Sequence, residues 1–242
     1  MVYDMKLLKQ QLIHSELIIF DFDGTLVDLE HLNYDALVKV VNKHLNEGVD
    51  LDMYRSIAAG TKSVLGIQNV FNEISRRTGK DVSQYDFYIL SEEIRDHKRA
   101  ALLSDPDEFS TLVKRADIFI PMMKEMGKRI GMASASSREF IERLLDHYKL
   151  LKYFDHIVAD QDVVLPKPSP EPYEKVLKHF DEVRSQVTVF EDSRNGIRSA
   201  KGAGLYTVGI LCPGWNDEFV YDLADFVVDD YSVCVELMNK DF

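Results

Sequence analysis

Six short apolar runs, separated by longer segments of helical periodicity, restrict the fold of this chain more than any other feature of its sequence. Their apolar side chains are consecutive rather than alternating, which is typical of strands buried on both faces. The runs are Leu17–Phe20, Arg129–Ala133, His156–Ala159, Val187–Phe190, Tyr206–Ile210 and Phe226–Val228. Strands that alternate with helices form a parallel sheet covered on both sides. We therefore predict an α/β fold with a doubly wound, Rossmann-like parallel sheet.

Helical segments between these runs include Ser137–Tyr148, Pro170–Phe180 and Asn195–Ala203. Between the first and second runs, residues 28–110 show helical periodicity alone, and the first helix there has an apolar face. That face comprises Leu37, Val40, Val41 and Leu45. A helical insertion of this length predicts a separate domain. We assign residues 28–110 to this domain and residues 1–27 with 111–242 to the core that contains the sheet.

The composition excludes several classes of protein and of partner. Hydrophobic residues make up 45% of the chain and charged residues 29%, which excludes a disordered protein, a collagen and a small disulfide scaffold. With 29 basic and 41 acidic residues, the formal net charge is −12. Such a surface repels polyanions, so we expect neither nucleic acid nor a membrane as a partner.

The cysteines and the apolar segments bear on the compartment. Cys212 and Cys234 have no metal-binding spacing, and we expect two unpaired, buried thiols, as in a reducing cytoplasm. No apolar run is as long as a membrane span, and residues 1–16 are too polar for a signal peptide. We therefore expect a cytoplasmic protein.

Polar and charged residues follow four of the predicted strands, at the edge where parallel sheets bind ligands. They are Asp21–Thr25, Ser134–Ser137, Lys167 a few residues beyond the third strand, and Glu191–Asp192. Carboxylates, a lysine and a hydroxyl in one place are unfavourable unless they bind something charged. A divalent cation with a phosphate would satisfy all of them, and carboxylates such as Asp21 and Asp192 suit a hard cation. A cation would also allow an acidic protein to bind an anion.

Each motif also has a purely structural interpretation. Asp21–Gly24 could form a surface turn, because Asp and Gly are common in turns. Ser134 could cap the next helix, and Lys167, which lies between two prolines, could be a solvated loop residue. Glu191 and Asp192 could be acids favoured at the start of a helix. The functional interpretation depends on the joint placement of these residues.

In this order, the four motifs resemble those of the haloacid dehalogenase superfamily of phosphohydrolases and phosphomutases. Asp21-Phe22-Asp23-Gly24-Thr25 is similar to the first signature, and Ser134, Lys167 and Glu191-Asp192 match the other three. A helical insertion after the first motif resembles the cap domain of the family. Three stretches are similar to the branch that contains β-phosphoglucomutase and small sugar-phosphate phosphatases: Ala133–Ser136, Lys167–Pro170 and Phe190–Ser193.

The resemblance implies a Mg²⁺-dependent phosphatase, a phosphoric monoester hydrolase that acts on a small phosphorylated metabolite through an aspartyl-phosphate. The metabolite would be a sugar or polyol phosphate, and we expect a monomer. Asp21 would be the nucleophile and Asp23 the general acid/base. The implied metal ligands are Asp21, the backbone carbonyl of Asp23, Asp192 and, directly or through water, Glu191. The implied phosphate-binding residues are Ser134, Ala135 and Lys167.

The cap of this family selects the substrate, and the candidate contacts here are His31, Arg55, Thr61 and Lys62. Each of them could equally be a solvated helix or loop residue. A β-phosphoglucomutase-like phosphomutase is the alternative, although Ser137-Arg138 stands where that enzyme has Lys-Asn.

Other activities and a non-catalytic role fit the residues less well. A dehalogenase or a phosphonate hydrolase would not need Asp23, and the latter would need a cap lysine, for which Lys62 is a weak candidate. A regulatory protein on the same scaffold would have no reason to keep every charged group that the chemistry requires.

Overall fold

The computed structural model describes residues 4–59, 61–181, 184–212 and 219–240. The chain divides into two compact units, one of residues 1–28 and 112–242 and the other of residues 29–111. The assignment of a catalytic core to residues 1–27 and 111–242, and of a cap to residues 28–110, stays a prediction.

The strands in chain order are β1 (Leu17–Phe20), β2 (Val27–Asp28), β3 (Thr111–Leu112), β4 (Arg129–Ala133), β5 (His156–Val158), β6 (Val187–Glu191), β7 (Tyr206–Ile210) and β8 (Phe226–Val228). Among the described residues, a six-stranded sheet has the order β5-β4-β1-β6-β7-β8, and β2 pairs with β3 separately. All neighbours in the larger sheet are parallel. The order reverses at β1, as in a Rossmann-like sheet, and this switch point is where such sheets bind ligands. The predicted fold class is confirmed.

The helices in chain order are α1 (Met5–His14), α2 (Glu30–Leu45), α3 (Leu51–Ile57), α4 (Ser63–Thr78), α5 (Phe87–Ser104), α6 (Pro106–Phe109), α7 (Ala116–Glu125), α8 (Arg138–His147), α9 (Glu171–Phe180), α10 (Arg194–Gly202), α11 (Phe219–Leu223) and α12 (Ser232–Asn239). Short 3₁₀ helices cover Leu151–Tyr153, Asp160–Asp162 and Arg184–Gln186.

The six predicted strands all form, with small differences at two ends. β5 stops at Val158, because a 3₁₀ helix begins at Asp160. β6 continues through Glu191, because this residue still pairs with Gly209 of β7. The extension matters for function, since it places Glu191 inside the sheet rather than in the loop that follows.

Both faces of the sheet are packed, as the consecutive apolar positions predict. On one face, Leu17 and Ile19 of β1 join a core cluster that includes Val176 of α9. On the other face, the ring of Phe20 stacks on Phe190 with ring centres 5.3 Å apart. Every residue of β1 and β6 is buried. This packing fixes the carboxyl ends of the two central strands, where the polar motifs begin.

The second unit is built from helices α2 to α6. The predicted apolar face of the first of them is confirmed, since Leu37, Val40, Val41 and Leu45 are all buried. Phe71 of α4 is fully buried and contacts the ring of Tyr85 edge-on, with centres 5.1 Å apart.

Two further expectations concern the cysteines and the membrane. Cys212 and Cys234 are both buried and neither forms a disulfide, as predicted. Among the helices in the described ranges, none combines the length and the apolar character needed to cross a membrane.

Candidate active site

A sharp turn follows β1 and carries the first motif. The backbone N–H of Asp21 still donates to the carbonyl oxygen of Phe190 at 3.0 Å, and Gly24 N–H donates to the carbonyl oxygen of Val27 at 2.9 Å. Gly24 has a φ of +82°, and a Cβ atom there would lie 2.1 Å from Oδ2 of Asp192. Glycine is therefore required at position 24 both by the backbone conformation and by the space that the Asp192 carboxylate occupies.

Three acidic side chains meet at the ends of β1 and β6. One carboxylate oxygen from each of Asp21, Glu191 and Asp192 lies within 4.8 Å of the others, and all three residues are buried. Buried like charges this close repel each other, and a cation removes the repulsion. Carboxylate oxygens are the ligands that Mg²⁺ prefers, and the missing side chain at Gly24 lets the Asp192 carboxylate lie close against the turn after β1. The donor set therefore fits the divalent metal that the sequence implies.

Lys167 supplies a positive charge within this acidic cluster. Its buried ammonium donates to Oδ1 of Asp21 at 2.7 Å and to Oε1 of Glu191 at 2.5 Å. Burial lowers the pKa of Lys167, but attraction to the two carboxylates outweighs burial and the net pKa is raised above its usual value. The lysine therefore stays charged. It lies in the loop before α9, where the Lys167–Pro168 peptide bond is cis.

The pKa of Asp21 is raised to about 7. Burial is the largest cause, and the charges of Glu191 and Asp23 act in the same direction, whereas Lys167 lowers this pKa. A further positive charge beside Asp21 would favour its ionised form.

Hydrogen bonds fix the other two acids of the cluster. The Thr25 hydroxyl donates to Oδ1 of Asp192 at 2.9 Å. Oε2 of Glu191 accepts from the backbone N–H of Ser193 at 2.9 Å and from its hydroxyl at 3.1 Å. Oε1 of Glu191 accepts from the hydroxyl of Tyr173 at 3.1 Å as well as from Lys167. Both oxygens of Glu191 are thus engaged by protein donors.

Tyr173, Thr25 and Ser193 support the cluster in ways that the sequence does not reveal. Thr25 belongs to the first motif, but its contact with Asp192 joins two strands that are distant in the chain. Tyr173 occupies an apolar position of α9, where a core interpretation is the natural one. The only available signal is its position six residues after Lys167.

Ser134 and Ala135 lie at the end of β4, the strand beside β1. Ser134 is buried, and its Oγ accepts the backbone N–H of Ser136 at 3.0 Å. Ser137 is the N-cap residue of α8, but its side chain does not bond to the helix.

Of the predicted site residues, the structure brings four together by direct contact or close approach: Asp21, Lys167, Glu191 and Asp192. The roles of Ser134, Ala135 and the half-buried Asp23 stay predictions.

The candidate substrate contacts of the helical domain lie in the second unit. His31 is exposed in the first turn of α2, and Lys62 is the N-cap residue of α4. Arg55 lies 4.0 Å from Asp52, and the hydroxyl of Thr61 donates to the carbonyl oxygen of Ala58 at 2.6 Å. Their substrate-binding role stays a prediction.

The fold and this cluster define an α/β enzyme with charged groups at the switch point of a parallel sheet. A family model described as haloacid dehalogenase-like hydrolase matches residues 18–210. The chain belongs to this family, and the resemblance that its motifs indicate is confirmed.

Named relatives and solved structures agree with this assignment. The chain is 30% identical over 210 residues to a phosphorylated carbohydrates phosphatase of Thermotoga maritima, covering 84% of this chain and 88% of the relative. The structure of CbbY from Rhodobacter sphaeroides in complex with phosphate has a TM-score of 0.77 at 24% identity, covering 90% and 95% of the two chains. A β-phosphoglucomutase of Clostridium difficile has a TM-score of 0.76 at 20% identity, covering 93% and 97%. At these identities the two structures show the fold.

Proposed function

We propose that this protein is a Mg²⁺-dependent phosphatase that hydrolyses a sugar or polyol phosphate through an aspartyl-phosphate. The observation that carries the proposal is the buried ammonium of Lys167, bonded to Asp21 and Glu191 in a cluster that also contains Asp192. A phosphate needs positive charge and a nucleophile at the same place, and this cluster supplies both. The phosphatase of Thermotoga maritima supports a carbohydrate as the leaving group.

The first half-reaction transfers the phosphoryl group to the protein. A carboxylate oxygen of Asp21 attacks phosphorus, and the bond from phosphorus to the ester oxygen breaks as the new bond forms. Asp23, in its protonated form, gives its proton to the departing oxygen, so that the product leaves as an alcohol. Lys167 and Ser134 donate hydrogen bonds to the oxygens of the transferring group.

The second half-reaction releases phosphate. Asp23, now ionised, takes a proton from a water molecule that attacks phosphorus. The bond between phosphorus and the Asp21 oxygen breaks, which yields inorganic phosphate and restores both aspartates.

The metal would be held by Asp21, Asp192 and the backbone carbonyl of Asp23. When bound, Mg²⁺ supplies positive charge that offsets the repulsion between the phosphate and the acids. Since both oxygens of Glu191 accept hydrogen bonds from protein donors, this residue acts beside the metal, by holding Lys167, rather than as a main ligand.

The test is phosphorus NMR of the purified protein with Mg²⁺ and a mixture of sugar phosphates that includes β-glucose 1-phosphate. We expect inorganic phosphate to grow as one ester disappears, and a chelator to stop this reaction. Conversion of the 1-phosphate into the 6-phosphate without free phosphate would instead identify a phosphomutase. No reaction with any ester would contradict both assignments.

We also propose a monomeric, cytoplasmic protein whose partner is the small phosphorylated metabolite. Two buried cysteines that form no disulfide support a reducing compartment.

A further inference from the structure

Tyr173 is a fully buried tyrosine of α9 that contacts two charged groups of the acidic cluster. Its hydroxyl donates to Oε1 of Glu191 at 3.1 Å, and the ammonium of Lys167 lies 5.1 Å from the centre of its ring. Since Lys167 also donates to Oε1 of Glu191, the three side chains form a closed triangle of contacts. A cation at this distance from an aromatic ring is attracted to the electrons of the ring.

The choice of hydrogen-bond acceptor distinguishes Tyr173 from Tyr85 and Tyr231, although Tyr54 of the helical unit also donates to a carboxylate, that of Glu30, at 2.9 Å. A buried hydroxyl needs an acceptor, and a backbone carbonyl is sufficient. The hydroxyl of Tyr231 donates to the carbonyl oxygen of Thr25, and that of Tyr85 to the carbonyl oxygen of His44. Tyr173 instead donates to a buried carboxylate that holds Lys167, and such a charge-assisted bond is stronger than one between neutral groups.

The main chain around Lys167 is held separately from its ammonium group. Glu171, in the first turn of α9, accepts the backbone N–H groups of Val164 at 2.8 Å and Leu165 at 2.7 Å. These bonds anchor the loop that carries Lys167, but they do not fix the ammonium group, which ends a flexible chain of four methylene carbons. The contacts with Tyr173 and the carboxylates supply that second constraint.

We infer that Tyr173 is a positioning residue, whose hydroxyl holds Glu191 and whose ring holds the Lys167 ammonium at the place where the phosphate binds. The inference rests on the proposed function, because that function assigns Lys167 to the phosphate. The described contacts of Tyr173 are with Glu191 and Lys167, so it would act through these two residues and not on the substrate itself.

The experiment compares Tyr173→Phe, which keeps the ring, with Tyr173→Leu, which removes it. Tyr85→Phe in the helical unit is the matched control, because it also removes a hydroxyl that donates one hydrogen bond. Each protein is titrated with inorganic phosphate in the presence of Mg²⁺, and separately with Mn²⁺ alone by electron paramagnetic resonance.

We expect phosphate affinity to fall about fivefold in Tyr173→Phe and about thirtyfold in Tyr173→Leu, following the loss of one charged hydrogen bond and then of the ring contact. Mn²⁺ affinity should change less than about twofold, because the ligands Asp21 and Asp192 do not contact Tyr173 through any described bond. Tyr85→Phe should change neither affinity. Unchanged phosphate affinity in both Tyr173 variants would overturn the inference, as would an equal loss of both affinities, which indicates a general loosening of the core.

A ligand-free measurement separates this inference from the proposed function. In protein labelled with ¹³C and ¹⁵N at lysine, the ring of Tyr173 should shift the Lys167 side-chain signal, which Lys167→Arg identifies. We expect the shift to remain in Tyr173→Phe and to vanish in Tyr173→Leu. If the wild-type protein binds no phosphate but this pattern is observed, the proposed function fails and the positioning contact stands. If Tyr173→Leu leaves the signal in place, the inference fails whatever the activity.

Discussion

Asp21 in the sheet-containing unit and Glu73 in the helical unit each accept a hydrogen bond from a basic side chain at 2.7 Å, yet their pKa values move in opposite directions. Hydrogen bonds from the exposed Arg76 and then Arg77 lower the pKa of the half-buried Glu73 at the surface of the helical unit to about 2. Burial raises the pKa of Asp21 to about 7, although Lys167 opposes this change. At the surface the basic partners decide the shift, whereas in the interior the loss of water decides it.

The comparison separates ordinary surface ion pairs of this chain from those that belong to the candidate active site. The surface pairs of Glu73 are of the kind that contributes little to stability. The buried cluster of Asp21, Glu191 and Asp192 opposes folding, because Lys167 pairs with only two of these three acids. An arrangement that disfavours the isolated protein is expected where a charged ligand completes the balance of charge. Four predictions test this difference between the two regions, from the largest effect to the smallest.

The largest effect is expected from Asp21→Asn. The amide cannot act as the nucleophile, so phosphate release should fall at least about 10³-fold. The thermal midpoint of unfolding should not fall, because one of three clustered acids is neutralised. Phosphate release and circular dichroism measure the two effects. Glu73→Gln is the matched control and should leave turnover unchanged; near-normal turnover in Asp21→Asn would disprove the assigned nucleophile.

Lys167→Met leaves buried acids without their basic partner. Removing one member of a buried ion pair typically costs 3–5 kcal/mol, so we expect a loss of about 4 kcal/mol in the free energy of unfolding, measured in urea without metal. Added Mg²⁺ should recover part of this loss, because a cation binds only the folded cluster. Arg76→Met at the surface is the comparison and should have a far smaller effect. If both variants lost the same free energy of unfolding, burial would not explain why the ion pairs of the two regions differ in strength.

Gly24→Ala and Gly79→Ala form a matched pair, because both glycines have a positive φ, +82° and +76° respectively. An alanine at Gly79 would meet no atom within 4 Å, so backbone strain alone should cost about 1 kcal/mol. At Gly24 the new Cβ would also collide with the carboxylate of Asp192, and we expect about 3 kcal/mol.

Metal binding provides the second measurement on this pair. The collision at Gly24 displaces an intended ligand, so Mn²⁺ affinity should fall in Gly24→Ala and stay unchanged in Gly79→Ala. If Mn²⁺ binds Gly24→Ala as tightly as the wild type, Asp192 is not a ligand in the proposed site.

The sequence predicts the sheet and the edge at which the site lies, because both follow from patterns along the chain. Strands buried on both faces leave consecutive apolar residues, and the parallel direction brings Asp21 and Asp192 to one edge. The predicted end of β6, Phe190, lies one residue before the observed end, Glu191. Pairing with the neighbouring strand sets this end, and the residue types do not reveal it.

Contacts between side chains could not be predicted from the same patterns. Lys167 bonding to both Asp21 and Glu191 depends on the path of the loop before α9. Helical spacing predicts that the side chain of Tyr173 points into the core. It does not predict that the hydroxyl donates to the carboxylate of Glu191. The substrate contacts in the helical unit depend on such details and stay predictions.

The smallest effect concerns the surface pair itself. The pKa of Glu73 is lowered from 4.5 to about 2 in the folded state, so its contribution to stability is present above pH 4.5. This contribution is lost as the pH falls from 4.5 towards 2, because the unfolded state then binds the proton more readily. Wild type and Glu73→Gln should therefore differ in their urea midpoints at neutral pH and converge in acid.

High salt should shrink the difference between the two midpoints, since exposed charges are screened. A Glu73 carboxyl signal that titrates near 4.5 in a carbon NMR experiment would show that the arginine bonds are not maintained in solution. The raised pKa of the buried Asp21 would then account alone for the difference in pKa shifts between the two regions.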